Sequence, residues 1–367
     1  MRLFQPEADI YLNCLKHNYH AIQAMVGDAK VMAVIKANAY GHGIIPVAKT
    51  LSDVGIHGFC VALESEAEEL IKAGIRTPIL HLGRISKDSF ELYNSGQVRC
   101  TINSIKDVIA LERFINQNEI IIAHLKIDTG MGRMGVLFRE AESIMKALAN
   151  VPAIRIESVY SHFSTAEESD TQYRDWQLKR FQKVVKMANE ILPETKYFHI
   201  ANSAGILNCP DSHFNMVRPG ISLYGVSSLG KFHEKLSPVM RMKAPVVMVK
   251  HVKAGESVGY NRLFTAEKDE NIALLQAGYA DGIPVEFSNS GSVEINGSYF
   301  PITGKVSMDL VAVRCQNANI SEGDEAIFWG GNNKNIRVET LAKQYNIIPY
   351  QFLTGVSSRV KRKLINE

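Results

Sequence analysis

The stretch Ile121-Ile122-Ala123-His124-Leu125-Lys126-Ile127-Asp128 reads as one β-strand with two unlike faces, since successive side chains of a strand point to opposite sides. The odd positions Ile121, Ala123, Leu125 and Ile127 are apolar, whereas the even positions include His124, Lys126 and Asp128. One face suits packing beneath helices, and the other would line a polar barrel mouth. Working outward, strand-like apolar runs recur at 31–36, 58–62, 78–82, 98–102, 120–128, 154–163, 196–200 and 216–218. Helical periodicity fills the spaces at 65–73, 104–115, 138–149 and 172–191, several of these opened by a Ser or Asp suited to an N-cap. Alternation of this kind predicts an α/β fold, an N-terminal (β/α)8 TIM barrel; an open doubly wound sheet is the arrangement that the same pattern also permits.

After about residue 235 the pattern changes to β-rich runs at 244–252, 271–277, 292–295, 310–314 and 325–329, with one helical stretch at 338–345. A mainly β C-terminal domain follows from this. Gly230, His233 and Pro238 break the periodicity, so the boundary is expected within 230–237, giving a barrel over 1–236 and a β domain over 237–367.

The chain has 367 residues, too many for one small module, and its 46% hydrophobic and 22% charged content is that of a chain with a real core. A net charge of +3 without a basic stripe argues against nucleic acid and membrane surfaces as partners. The five cysteines, Cys14, Cys60, Cys100, Cys209 and Cys315, are scattered and odd in number, which suggests neither a disulfide framework nor a metal site. With no apolar run long enough for a signal peptide or a membrane span, a cytoplasmic protein is expected.

Lys36 ends the run Val31-Met32-Ala33-Val34-Ile35-Lys36, which in a barrel places its amine at the C-terminal mouth, where barrel enzymes keep their reactive groups. A desolvated lysine amine suits Schiff-base formation with an aldehyde such as pyridoxal phosphate; a lysine that merely caps a strand and reaches to water has the same local sequence. Asn202-Ser203 follows the seventh run and Arg218-Pro219-Gly220-Ile221 the eighth. The loops after strands seven and eight are where such barrels commonly hold phosphate, although Ser is also a common N-cap and Gly a common turn residue.

Together these residues resemble the alanine racemase family. The similarity is carried by residues 33–43 (Ala-Val-Ile-Lys-Ala-Asn-Ala-Tyr-Gly-His-Gly), by 126–135 (Lys-Ile-Asp-Thr-Gly-Met-Gly-Arg-Met-Gly) and by His162-Phe163. It continues through Ala201-Asn202-Ser203, Val217-Arg218-Pro219-Gly220, residues 278–282 (Gly-Tyr-Ala-Asp-Gly) and Met308-Asp309, nearly end to end and in matching order. The resemblance implies pyridoxal 5'-phosphate carried on Lys36, which serves as one acid/base group, and Tyr260 as the second, acting from the opposite face of the bound amino acid. It implies a head-to-tail homodimer with shared active sites, in which Tyr260, Met308 and Asp309 reach the site of the other copy.

By the same resemblance, Tyr40, Ser203, Gly220, Ile221 and Tyr350 would hold the phosphate, and His162 would pack against the cofactor ring. Arg218, supported by His199, would donate a hydrogen bond to the pyridine nitrogen. Arg133 would face the ring hydroxyl and the substrate carboxylate, oriented by Lys126, a position carbamylated in many relatives. Tyr279 would narrow the entrance. The implied reaction is interconversion of L- and D-alanine, supplying D-alanine for peptidoglycan, with no metal. Ser307, residues 261–264, Ser357 and Ser358 depart from the usual family pattern, so a racemase of broader specificity that takes serine is the alternative. A decarboxylase of the same barrel type should show a glycine-triplet phosphate loop and a cysteine motif that this chain lacks. A non-catalytic pyridoxal-phosphate-binding protein should lack the residues after about 237.

Overall fold

Each of the eight apolar runs between residues 31 and 218 forms a strand in the computed structural model of the chain, which describes residues 5–115, 119–227, 229, 234–316, 318–331 and 333–366. The strands are Lys30–Val34, Gly58–Val61, Ile79–His81, Val98–Ile102, Ile121–Asp128, Ile154–Tyr160, Tyr197–His199 and Met216–Val217. They pair in parallel in chain order, and the eighth lies against the first. The Arg218 N–H donates to the Ala201 carbonyl at 3.0 Å, which links the eighth strand to the loop after the seventh. An open doubly wound sheet would reverse its strand order at a switch point; this order runs one way round, so the sheet is a barrel.

Strand five shows why. Ala123, His124, Leu125, Lys126, Ile127 and Asp128 are all buried, so its polar face is turned inward rather than to solvent. Outside the sheet, helix Gln172–Ile191 buries Leu178, Phe181, Val184 and Ala188, three or four residues apart, as one apolar stripe. Helix Glu64–Lys72 does the same with Ala67 and Leu70. Ser104 does stand at the N-cap of Ile105–Phe114, but its hydroxyl makes no capping bond. The carboxylate of Asp107 in the first turn instead accepts the Asn103 N–H at 2.8 Å.

The barrel unit comprises Asn18–Ala39 and Ile44–Leu223, and the β unit the described residues of Met1–His17, Tyr40–Gly43 and Tyr224–Glu367. This differs from a single cut after residue 236, of whose expected markers Gly230 and His233 lie outside the described residues. The reason is strand Glu7–Tyr11. It pairs antiparallel with the long strand Met240–Val252 and parallel with Lys361–Ile365, so residues 7–11, which precede the barrel in the chain, belong to the β sheet. Its Asp9, 1% exposed, meets Arg241 at 2.7 Å and Lys243 at 3.2 Å. Met240–Val252 also pairs with Glu325–Trp329 and with Glu270–Leu275, and the latter leads on through Val311–Gln316, Ser298–Thr303 and Ser292–Ile295 back to Glu325–Trp329. These six strands thus close on themselves. The expected helix Val338–Tyr345 is present in this unit.

Candidate active site

Lys36 follows strand one after a single residue, Ile35, and begins a turn of unusual hand. Ala37, Asn38 and Ala39 have φ of 52°, 53° and 52°, a left-handed helical turn built from residues with side chains. Each such residue costs about 1–2 kcal/mol, so the backbone must be held from outside. It is: the Ala37 N–H donates to Glu66 Oε1 at 2.6 Å, the Ala39 N–H to the Ile35 carbonyl at 2.8 Å, and Asn38 Oδ1 accepts the Ile44 N–H at 2.8 Å. Burial, then the Arg133 charge, pull the Lys36 amine below its ordinary pKa, with Glu66 opposing.

Strand five contributes Lys126, and the loop after it contributes Arg133. Asp128 shapes that loop: its carboxylate accepts the N–H groups of Gly130 and Met131 at 2.8 Å and of Gly132 at 2.9 Å. Gly135, at φ +117°, returns the chain so closely that a Cβ would lie 3.0 Å from Asp128 N and 3.1 Å from Lys126 Cγ. Burial, then the charges of Arg218 and Arg133, bring the Lys126 amine down to about 8; Asp128 pulls the other way.

Arg218, 4% exposed, follows strand eight. Its Nη2 donates to the Ser161 carbonyl at 2.7 Å and lies 3.3 Å from His162 Nδ1, and its Nη1 contacts His199 Nδ1. Burial, with Arg218 second, holds both His162 and His199 well below the usual histidine pKa, which favours the neutral form of both rings. Tyr160 stacks on His199 with ring centroids 4.8 Å apart and lies under the Arg218 guanidinium. Cys60 sits near Lys36 and Arg218 as a thiol that burial pushes up to about 12, which leaves it inert.

After strand seven, Asn202 caps helix Ser203–Asn208 by accepting the Gly205 N–H at 2.9 Å. The Ser203 hydroxyl oxygen gathers the N–H groups of Gly220 at 2.9 Å and Ser222 at 3.2 Å, tying the loops after strands seven and eight together beside Ile221. Within the barrel unit, therefore, Lys36, Lys126, Arg133, His162, His199, Ser203, Arg218, Gly220 and Ile221 all lie in the loops or strand ends at the C-terminal mouth.

The remaining expected residues lie in the β unit. Tyr40 packs against Tyr224 and Tyr350, with ring centroids at 5.0 and 5.9 Å. Tyr260, 67% exposed, stands at the tip of the small hairpin Ser257–Val258 and Phe264–Thr265, after Gly259 at φ +76°. It shares a cleft of about 330 Å³ with Lys305, Ser307 and Leu310. The Tyr279 N–H bonds the Ser307 carbonyl at 3.0 Å and the Ala280 N–H the Met308 carbonyl at 3.1 Å, so Tyr279 and Met308 border the same region. Asp309 is ion-paired to Arg359 at 2.6 Å, and Arg359 to the buried Asp281 at 3.3 Å.

Sequence reasoning missed Glu66, Tyr160, Glu157, Ser222 and Arg359. Glu66 looks like any acid on an exposed helix face, and only its contact with residue 37 reveals it. Glu157 carried a signal, since with Arg155 it alternates with Ile154 and Ile156 on strand six; Tyr160 has the parity of those apolar residues and carried none, because the register shifts at Glu157.

Residues 10–228 match the family described as "Alanine racemase, N-terminal domain" and residues 239–364 match "Alanine racemase, C-terminal domain". The alanine racemase of Desulforamulus reducens is 37% identical over 367 aligned residues, covering 98% of each chain, and that of Halothermothrix orenii is 34% identical over 98% of this chain and 97% of its own. Among solved structures, alanine racemase from Streptomyces lavendulae superposes with a TM-score of 0.92 at 29% identity, covering 100% of this chain and 98% of that one. The Bartonella henselae enzyme, solved with covalently bound pyridoxal phosphate, superposes at 0.88 with 29% identity over 98% of this chain and 99% of its own. On matched domains that span nearly its whole length, the chain belongs to the alanine racemase family.

Proposed function

We propose that this chain interconverts L- and D-alanine with pyridoxal 5'-phosphate, as a homodimer whose copies share each active site. The observation that carries this reading is the convergence of Lys36, Lys126, Arg133 and Arg218 at one barrel mouth, where Lys126 feels the charges of the other three. Lys126 and Arg218 are buried among these four cations, and positive charge so placed calls for an anion. A ligand with a phosphate and a carboxylate fits that donor set, as does an aldehyde that consumes a neutral lysine amine. Lys36 would hold the cofactor covalently. Ser203, Gly220 and Ile221 would bind its phosphate with Tyr40 and Tyr350, His162 would lie against its ring, and Arg218, backed by His199, would donate to its ring nitrogen.

Bound there, the cofactor supplies an electron-withdrawing ring and imine that stabilise negative charge at the alanine Cα. The chain's own groups then handle the proton. Lys36 Nζ, its pKa lowered by burial and Arg133, removes or returns the Cα proton on one side. Tyr260 Oη of a second copy does so on the other, and two bases on opposite faces invert the centre without turning the substrate. Arg133 meets the substrate carboxylate, oriented by a carbamylated Lys126, while Met308 and Asp309 of the second copy bound the substrate and Tyr279 narrows access. Arg218, which keeps its proton, would donate a hydrogen bond to the ring nitrogen without protonating it. We place the enzyme in the cytoplasm, where its free cysteines suit a reducing compartment, with D-alanine for peptidoglycan as its product.

Purified protein should be coloured, borohydride should fix the cofactor to Lys36, and L-alanine should yield D-alanine. Tyr260→Phe is expected to slow exchange of the Cα proton with solvent unequally in the two directions. A wild-type rate in both directions refutes the two-base assignment, and equal turnover of serine would mark the broader racemase instead.

A further inference from the structure

Four consecutive barrel strands and the residue after a fifth each place one polar group in a single line, with His124, His199 and Arg218 buried and Arg99 and Glu157 13% and 16% exposed at the other end. Arg99 comes from strand four, His124 from five, Glu157 from six, His199 from seven and Arg218 from the end of eight. Arg99 grips the Glu157 carboxylate with Nε at 2.9 Å and Nη2 at 3.3 Å, and its Nη1 donates to the carbonyls of Gly96 and Gln97 at 3.0 Å, before strand four begins. His124 Nε2 lies 3.3 Å from Glu157 Oε2, and His124 Nδ1 lies 3.3 Å from His199 Nε2. His199 Nδ1 meets Arg218 Nη1. The line thus crosses the barrel interior from the floor to the mouth.

Its two ends have opposite and fixed hydrogen-bonding character. A carboxylate held by an arginine only accepts, and a guanidinium only donates. Between them stand two histidines, 1% and 0% exposed, and burial favours their neutral form. A neutral imidazole has one N–H and one bare nitrogen. Glu157 therefore requires the His124 proton on Nε2, which leaves Nδ1 bare to accept from His199 Nε2–H. That leaves His199 Nδ1 bare to accept from Arg218. Starting from Arg218 gives the same answer, so only one arrangement of protons satisfies every link.

We propose that Glu157, clamped by Arg99, is a positioning residue that sets the tautomers of His124 and then His199, and so fixes the guanidinium of Arg218 as a pure donor at the reaction site. The proposal rests on the racemase reading for its consequence, because a fixed Arg218 is what keeps a proton off the cofactor ring nitrogen. The tautomers themselves depend on no cofactor. A protonated His199 would turn an N–H toward Arg218, donor against donor and charge against charge, and the line denies it that proton.

The test is 15N nuclear magnetic resonance of the purified protein with labelled histidine, with and without pyridoxal phosphate. Wild-type His124 and His199 are both expected to carry the proton on Nε2 alone; Nδ1–H or imidazolium at either overturns the proposal. Glu157→Gln gives His124 a partner that donates as well as accepts. It should lower the Nε2–H preference of His199, two links away, by about tenfold and reduce kcat with KM for alanine unchanged. His124→Leu, which leaves Glu157 and Arg99 in place, should have the same effect on His199. An unaltered His199 in either variant refutes the relay. Correct tautomers in a protein without racemase activity would leave the relay standing and remove the racemase reading.

Discussion

Glu66 accepts three backbone N–H groups, from Ala37 at 2.6 Å, Ala62 at 2.8 Å and Leu63 at 3.1 Å, and so ties the turn after Lys36 to the end of strand two. Glu66→Ala should cost about 1–3 kcal/mol in a denaturant titration and weaken cofactor retention, with Glu66→Gln intermediate because its amide oxygen still accepts. An unchanged midpoint for Glu66→Ala would show that the turn holds itself. Lys126 gives a pH signature. Its amine titrates near 8 in the fold against 10.5 as an ordinary lysine, so between those values the unfolded chain binds more protons. Stability should therefore rise with pH from about 8 to about 10.5 and owe nothing further to Lys126 below 8. Lys36 shifts in the same direction and adds to the slope. Lys126→Met should flatten the curve when melting is followed in carbonate-free buffer, and an unaltered slope would contradict the depressed amine. In labelled bicarbonate, wild type alone should give a carbamate carbon signal.

At the scale of elements, periodicity made the eight barrel strands and the long helices legible, because burying one face forces the pattern on the residues. What periodicity could not show was backbone hand. Nothing in Ala37-Asn38-Ala39 announces a left-handed turn, since its support comes from Glu66 and Ile35 rather than from glycine. Strand Glu7–Tyr11 was equally hidden: it is short, its partners lie more than 200 residues away, and its charged Asp9 is buried only because Arg241 and Lys243 face it. The mouth was legible in its cations and its Ser203 and Gly220 loops, but not in the acids that position them. Gly135 tests how tightly one such loop is made. Gly135→Ala would force both a positive φ and contacts near 3.0 Å, for an expected loss of about 1–3 kcal/mol and a matching fall in cofactor affinity. Calorimetry and cofactor titration read both; a variant as stable as wild type would mean that the loop after strand five relaxes freely.

For the molecule as a whole, the groups proposed to act together come from different units of the fold, and in the β unit Tyr260, Tyr279 and Met308 are exposed. Tyr260 is 67% exposed and Leu263 48% at the hairpin tip, and Met308 is 51% exposed in the loop before strand Val311–Gln316. A second copy that covered them and took Tyr260 into its own barrel mouth would make each active site a property of two chains. The consequence is arithmetical. Lys36→Ala and Tyr260→Ala are each expected to be inactive as homodimers, since every site lacks one base. In a dimer of one of each, one site carries both losses and the other carries neither. Refolding an equal mixture pairs half of the copies with the other variant, so about a quarter of the sites should be intact and about a quarter of wild-type activity should return. If Lys36 and Tyr260 served within one chain, every site in every pairing would lack a base and the mixture would stay as inactive as its parts. Racemase assay of the mixture, with mixed dimers isolated by two affinity tags, separates the two cases.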